Sequence, residues 1–299
     1  NHDVLQDGLL MTDFVALNTL RDEARQRADQ VNSEFVTDAE LNGYLNNSWS
    51  ELYDILVSKY NDDYFQTSAS IPVTSGTDTY SLPSDFYKAR GVDLNINTNQ
   101  NTPLQRYTFA DRTRDSLVRY ARDVKYRIQA NNIVFAPSPS NNTATLWYIP
   151  HPRKLQSVTP SAISRGSTTT WTVPSTHSFV AGDKINAIGF FATNYNVEQT
   201  VSSVTSTTVV TDLDSSALSD PTVYGTLESM QDFVNAGWRQ YVSVDSAIMM
   251  MLKEESDISG LVYVKQGLLE RIEIMAEDRD SGEPARVTNV AAYEQYFMY

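Results

Sequence analysis

The 299-residue sequence carries 37 acidic residues against 23 Lys and Arg, a formal net charge of −14, which argues against wrapping nucleic acid because phosphate affinity is built from neutralising cations. Its 41% apolar content is that of a folded globular chain, and no run of about eighteen apolar residues is present to span a membrane. The absence of cysteine excludes disulfides and thiolate metal sites and suits a reducing cytosol.

The first residues lack a basic segment followed by an apolar stretch, so no secretory signal is expected; residues 1–12 read as an extension in which Met11 is either a start or an internal residue. Asp13 is placed to cap a first helix, with Val15, Leu17, Leu20, Ala24, Ala28 and Val31 on its apolar side. Thr37 and Glu40 stand at capping-box spacing, and Leu41, Leu45, Trp49, Leu52 and Leu56 then recur at helical period, so a second helix is predicted to about Tyr60.

Past Asn61 the period changes to short β-branched and aromatic runs between turn residues. Strands are predicted over 64–73, 77–81, 89–96, 125–129, 132–136 and 143–148, with a short helix within 109–120 and a hairpin signal at Asn131-Asn132. From 157 to 224 the composition turns to Thr, Ser and Val with few charges, and strands over 168–173, 184–190, 197–204 and 207–213 suit a small inserted barrel or sandwich.

Helix is predicted to resume at Thr226. Met230, Phe233, Val234, Trp238, Tyr241, Val242, Ala247 and Ile248 recur at the period of one helix face, largely in three- and four-residue steps, and the apolar surface spreads all the way round at Met249, Met250 and Met251. Such a helix has to be covered on every side, by its own bundle or by another subunit, and Trp238, Met249, Met250 and Met251 are the candidate inter-subunit packing residues. A polar break at residues 253–257 precedes a second stripe of Ile258, Leu261, Leu268, Leu269, Ile272 and Met275 that also contains Lys265. The expected fold is α+β, an α-helical bundle core with short antiparallel β elements and an inserted small all-β domain. The expected divisions are an extension over 1–12, a core of helical hairpin plus β region over 13–156, the insert over 157–225, long helices completing the core over 226–290, and an arm over 291–299.

The chemistry-bearing motifs are few. Nucleophile elbows, phosphate loops and dinucleotide fingerprints are absent, and the three histidines, His2, His151 and His177, do not stand at zinc-ligand spacing. Residues 212–216 resemble the first half of a calcium loop without its glycine and closing glutamate. No cofactor, no metal site and no catalytic residue is expected. Three features remain: the strand exit Ser81-Leu82-Pro83-Ser84-Asp85-Phe86-Tyr87-Lys88, the charged elbow with the stop at 271–284, and the aromatic tail Tyr293, Tyr296, Phe297, Met298 and Tyr299. Exposed aromatics at a terminus call for a covering partner.

Trp49-Ser50-Glu51-Leu52-Tyr53-Asp54 followed by Tyr64-Phe65, then Tyr80-Ser81-Leu82-Pro83-Ser84-Asp85-Phe86 and Gly91-Val92, are similar to the front half of the head-to-tail adaptor proteins of tailed bacteriophages. Lys253-Glu254-Glu255-Ser256-Asp257 and Arg271-Ile272 through Arg279-Asp280-Ser281-Gly282-Glu283-Pro284 resemble the back half. The resemblance implies a non-enzymatic virion protein that forms a dodecameric ring under the portal, extends the DNA channel and carries the tail nozzle or fibres. Double-stranded DNA would then pass through without specific binding. It also implies that the tail after Val290 reaches the portal protein, while the inserted β domain faces outward or toward tail components. Two alternatives stand beside it: a phage cell-wall hydrolase with two working carboxylates, expected to show one raised carboxyl in a cleft, and a tail nozzle or fibre-attachment protein.

Overall fold

The computed structural model describes residues 14–31, 35–59, 65–97, 100–111, 124–233 and 236–277. A short strand, β1 (Phe14–Ala16), leads into α1 (Leu17–Arg27), and α2 (Asp38–Lys59) follows. Eight strands come next: β2 (Thr67–Val73), β3 (Thr79–Ser81), β4 (Phe86–Asn97), β5 (Gln100–Pro103), β6 (Gln105–Arg106), β7 (Lys125–Gln129), β8 (Asn132–Ala136) and β9 (Asn142–Pro150). A second series comprises β10 (Ser157–Val158), β11 (Ala162–Ser164), β12 (Thr169–Thr172), β13 (Lys184–Ile188), β14 (Glu198–Val204), β15 (Thr208–Thr211) and β16 (Thr226–Asp232). The described chain closes with α3 (Ala236–Lys253) and α4 (Ser259–Glu277).

These strands form three sheets. The first runs β1-β16-β13-β14-β15-β12-β11, with β10 also on β16; the second is β2-β9-β4-β5 and the third β3-β8-β7-β6. Every pairing is antiparallel except β6 with β7. The second and third sheets face each other over one core, where Val92, Leu94, Ala144 and Leu146 meet Ile133 and Phe135, the arrangement two half-apolar sheets need in order to bury their inner faces. The first sheet folds round Trp171, which is fully buried among Ile185, Val201, Val209 and Leu227. Its indole Nε1 is satisfied by Gln199 Oε1 at 3.3 Å and Thr211 Oγ1 at 3.2 Å, as a buried donor requires.

The third core is helical: Leu17, Leu20 and Ala24 of α1, Leu41, Leu45, Leu52 and Leu56 of α2, and Tyr241, Val242 and Met250 of α3 pack together. The expected α-helical bundle core is therefore corrected. Strand takes 34% of the described residues and helix 31%, and two of the three cores are built without α-helices. The misreading begins at Thr226, where residues 226–232 form a strand. Leu227, Glu228, Ser229 and Met230 are all buried in sequence, because β16 is paired with β13, β10 and β1 and covered on both faces. A strand buried on both faces has no alternation to show. Phe14 to Ala16, expected to open the first helix, is likewise a strand because it pairs with residues 230–232. Of the helix expected within 109–120, Phe109–Asp111 is a single 3₁₀ turn and residues 112–120 lie outside the described residues.

At one position the backbones come so close that only glycine fits. A Cβ on Gly225 would stand 1.9 Å from the carbonyl oxygen of Ile188 and 2.6 Å from the amide nitrogen of Phe190, so β16 can enter beside β13 only without a side chain there.

Candidate assembly surface

α3 is buried round most of its circumference because it is enclosed by its own chain, with α1, α2 and α4 packed about it. Trp238 is 2% exposed and Met250 fully buried, so both are spent in the intrachain core, where the Trp238 ring lies 6.4 Å from that of Phe65. Met249 is half-buried, and Met251 packs partly against the same core. Tyr293, Tyr296, Phe297, Met298 and Tyr299 lie outside the described residues.

α4 covers α3 with one side only. Ile272 and Ala276 are buried and Leu261, Leu268 and Leu269 partly so, whereas Tyr263 is 78% exposed and Ile274 60%, with Val264 and Met275 exposed beside them. At 100° per residue these four fall on one outward face. Single exposed apolar residues are unremarkable; here two adjacent pairs stand on one face with exposed Gly267, Glu270 and Arg271 between them, a mixed apolar and charged surface of the kind found at interfaces.

What fastens α4 is polar. Lys265 Nζ donates to Asp245 Oδ1 of α3 at 2.7 Å and to Glu51 Oε1 of α2 at 3.0 Å. Glu51 also accepts from the Tyr241 hydroxyl at 2.8 Å, and the buried Asp245 takes Ser48 Oγ at 2.6 Å on its other oxygen. Burial works against the Lys265 charge, yet its hydrogen bonds to Asp245 and Glu51 outweigh it and hold the ammonium above the usual lysine range. Burial first, and then the bond to Glu51, push the Tyr241 phenol up. Sequence reading placed Lys265 inside an apolar stripe without drawing the inference; a lysine at a core-facing helical position needs a carboxylate on a neighbouring helix, and that was the available signal.

The elbow between α3 and α4 is a turn with Glu255 at φ 57°. Asp257 caps α4 by accepting from the Ser259 amide at 2.9 Å, and the bonds from Ser259 hold its carboxyl below the usual range. Glu254 and Glu255 are exposed. At the strand exit the Phe86 ring stacks on Tyr148 at 5.8 Å, and Asp85 accepts from the Tyr148 hydroxyl at 2.9 Å. Burial, then that bond, push the Tyr148 phenol up to about 12. This feature secures β4 to β9, and nothing in it is poised for chemistry.

The described residues hold no group of three or more His, Cys, Asp or Glu that could bind a metal. In the loop at 212–216, Asp214 accepts from the amide and hydroxyl of Ser216 and Asp212 from the Thr200 amide, so these carboxylates fasten their own turns. Asp183 is the described carboxyl that burial pushes up. It sits in a cavity of about 140 Å³ with Arg153, Lys184 and Asp232, and its oxygens take the Val180 amide at 2.8 Å and face Arg153 at 3.9 Å. One oxygen thus holds the turn at 180–183 while the other faces the Arg153 guanidinium.

The described surface thus offers an exposed apolar face on α4, and Asp183, Asp212, Asp214 and Asp245 are engaged in local structure. The family model for the SU10 adaptor protein matches residues 16–181, more than half of the chain. The chain belongs to the SU10 adaptor protein family, structural head-to-tail adaptors of bacteriophage virions. No curated protein matches it.

Proposed function

We propose that this protein is a ring-forming subunit of a tailed-phage neck, seated beneath the portal, extending the DNA channel and carrying tail components. The observation that supports assembly is the outward face of α4, where Tyr263, Val264, Ile274 and Met275 stand exposed on a helix that is fixed from behind by Lys265. A dodecamer arises when that face meets a different surface on the next copy and the rotation closes, with each contact burying more than ~1,000 Å². Half-buried Met249 and Met251 extend the apolar area near the elbow, whereas the inter-subunit role for Trp238 and Met250 is confined to supporting α3 from within. The net charge of −14 suits a conduit, since an acidic lining repels a passing duplex.

The aromatic tail at 291–299 is the proposed portal contact, and the strands at 157–225 the proposed outward-facing unit. Native mass spectrometry of the full chain, alone and mixed with its portal, tests the reading. A ring is expected in at least one of the two samples. Tyr263→Asp combined with Ile274→Asp abolishes it, and deletion of 291–299 removes portal binding while leaving the secondary structure intact. A wild-type chain that stays monomeric with and without portal overturns the proposal.

A further inference from the structure

A second surface on the same chain has the opposite character to the rest. The parallel pair β6–β7, with Arg106 opposite Tyr126, forms the end of the third sheet and walls an open groove of about 660 Å³ lined by Arg106, Tyr107, Phe109, Arg127, Ile128 and Gln129, with Thr108 between. Among the described residues that lining contains two guanidinium groups and no carboxylate, in a chain where acids outnumber cations 37 to 23. Arg127 is held by rings: its guanidinium carbon lies 5.1 Å from the Phe109 centroid and 5.6 Å from that of Tyr107. It donates to Gln129 Oε1, and its buried Nε has no hydrogen-bond partner. Arg106 is exposed, and Phe109 is 63% exposed beside it. A pre-ordered arginine flanked by an exposed aromatic ring is the side-chain type that anchors protein interfaces.

We infer that this groove is the receiving half of the contact between two copies of the chain, and that its occupant is the elbow and outward face of α4 on the next copy. The inference rests on the ring reading above and adds to it the surface that faces α4. The two surfaces match in chemistry. The elbow presents Glu254, Glu255 and Asp257, all exposed, next to the apolar Tyr263 and Val264, so carboxylates meet Arg106 and Arg127 while apolar groups meet Phe109. They are also different surfaces on one chain, the condition for a head-to-tail contact that propagates round a ring rather than stopping at a two-fold dimer. Charge complementarity of this kind fixes register and speeds encounter.

Charge reversal with mixing tests it on the full-length chain. Arg106→Glu/Arg127→Glu and Glu254→Lys/Glu255→Lys are purified separately, checked by circular dichroism, and followed by sedimentation velocity with portal present wherever wild type needs it. Each is expected to lose self-association at least about tenfold, with repulsion replacing attraction. Mixed one to one they assemble again, because every contact then joins an acidic surface to a basic one. Wild-type assembly weakens as salt rises.

If the wild type assembles and either double variant assembles equally well, or the mixture recovers nothing, the assignment of the groove is wrong while the ring reading stands. A wild type that never assembles removes both. A double-stranded oligonucleotide that binds wild type and not Arg106→Glu/Arg127→Glu reassigns the groove to nucleic acid and overturns the inference.

Discussion

Replacing Lys265 with methionine keeps the length and apolar stem of the side chain and removes the cation that meets Asp245 at 2.7 Å and Glu51 at 3.0 Å. Asp245 has a side chain only 5% exposed, so the variant leaves a carboxylate with the Ser48 hydroxyl but no counter-charge. The gross attraction at such a distance is roughly 6 kcal/mol at an effective dielectric near 20, and loss of one partner of a buried pair costs about 3–5 kcal/mol. Glu51, with a side chain 46% exposed, returns little, which places the expected cost near ~3 kcal/mol. The damage should be local, since Lys265 ties α4 to α2 and α3 alongside the apolar contacts of Ile272 and Ala276. Amide hydrogen exchange in α4 is therefore expected to accelerate on the order of 100-fold, with α2 much less affected. Lys265→Met combined with Asp245→Asn should recover most of the loss, because no uncompensated charge remains. The pH dependence has a definite sign. The folded pKa lies above the ordinary 10.5, so the contribution is complete below that value and disappears only as pH rises through the higher folded value. Acceleration below tenfold in the single variant, or an equal loss in the double, refutes the reasoning.

Gly225→Ala should destabilise the first sheet by about 2–3 kcal/mol through a clash with backbone that cannot step aside, read as a lower melting temperature by Trp171 fluorescence; an unchanged melt contradicts the 1.9 Å approach. Gly43→Ala should act in the reverse direction: it lies inside α2 with nothing within 4 Å of its Cβ position, and alanine there is expected to stabilise by roughly 0.5–1 kcal/mol in urea titrations. Glu228 is 1% exposed, pairs with Arg21 and accepts from the Asn18 amide at 2.7 Å. Glu228→Gln should cost about 2–3 kcal/mol, loosening α1 and β16 together in hydrogen exchange. Loosening of α1 alone would mean that the carboxylate acts only as a cap.

The local signals in the sequence were legible wherever partners were near in the chain. Thr37 accepts from the Glu40 amide at 3.3 Å, as the capping-box spacing predicts, although the Glu40 carboxylate turns to Lys253 at 2.7 Å rather than back to its own cap. The 125–129 and 132–136 strands agree with the predicted ranges, because strand patterning is a property of adjacent residues; the turn between them falls one residue earlier than expected, on Ala130 and Asn131, with Ala130 at φ 50° and Asn132 already paired to Gln129. What was not legible depended on partners far away. β16 shows apolar residues at mixed spacing that continue into α3, and only its pairing with β1, β10 and β13 makes it a strand. Glu228 reads as a solvated acid until Arg21 is placed against it from 207 residues away. α1 starts without a side-chain cap of its own at Ala16, a gap that the Glu228 carboxylate closes from β16. At the assembly surface, the apolar stripe of α4 was visible, but which side faces inward was fixed by Lys265 and could not be read from periodicity alone.

The pairing of Phe14 with Asp232 carries a consequence for biosynthesis. The opening residues of the chain leave the ribosome long before the strand that receives them exists. At ~5–20 residues per second the wait is of the order of ten seconds or more. During that interval α1 has neither its sheet partner nor the anion at its start, and it must stay unengaged without aggregating. The helical layer cannot be finished until β16 and α3 have been made, so a translation product cut short before residue 230 lacks the seam between β1 and β16.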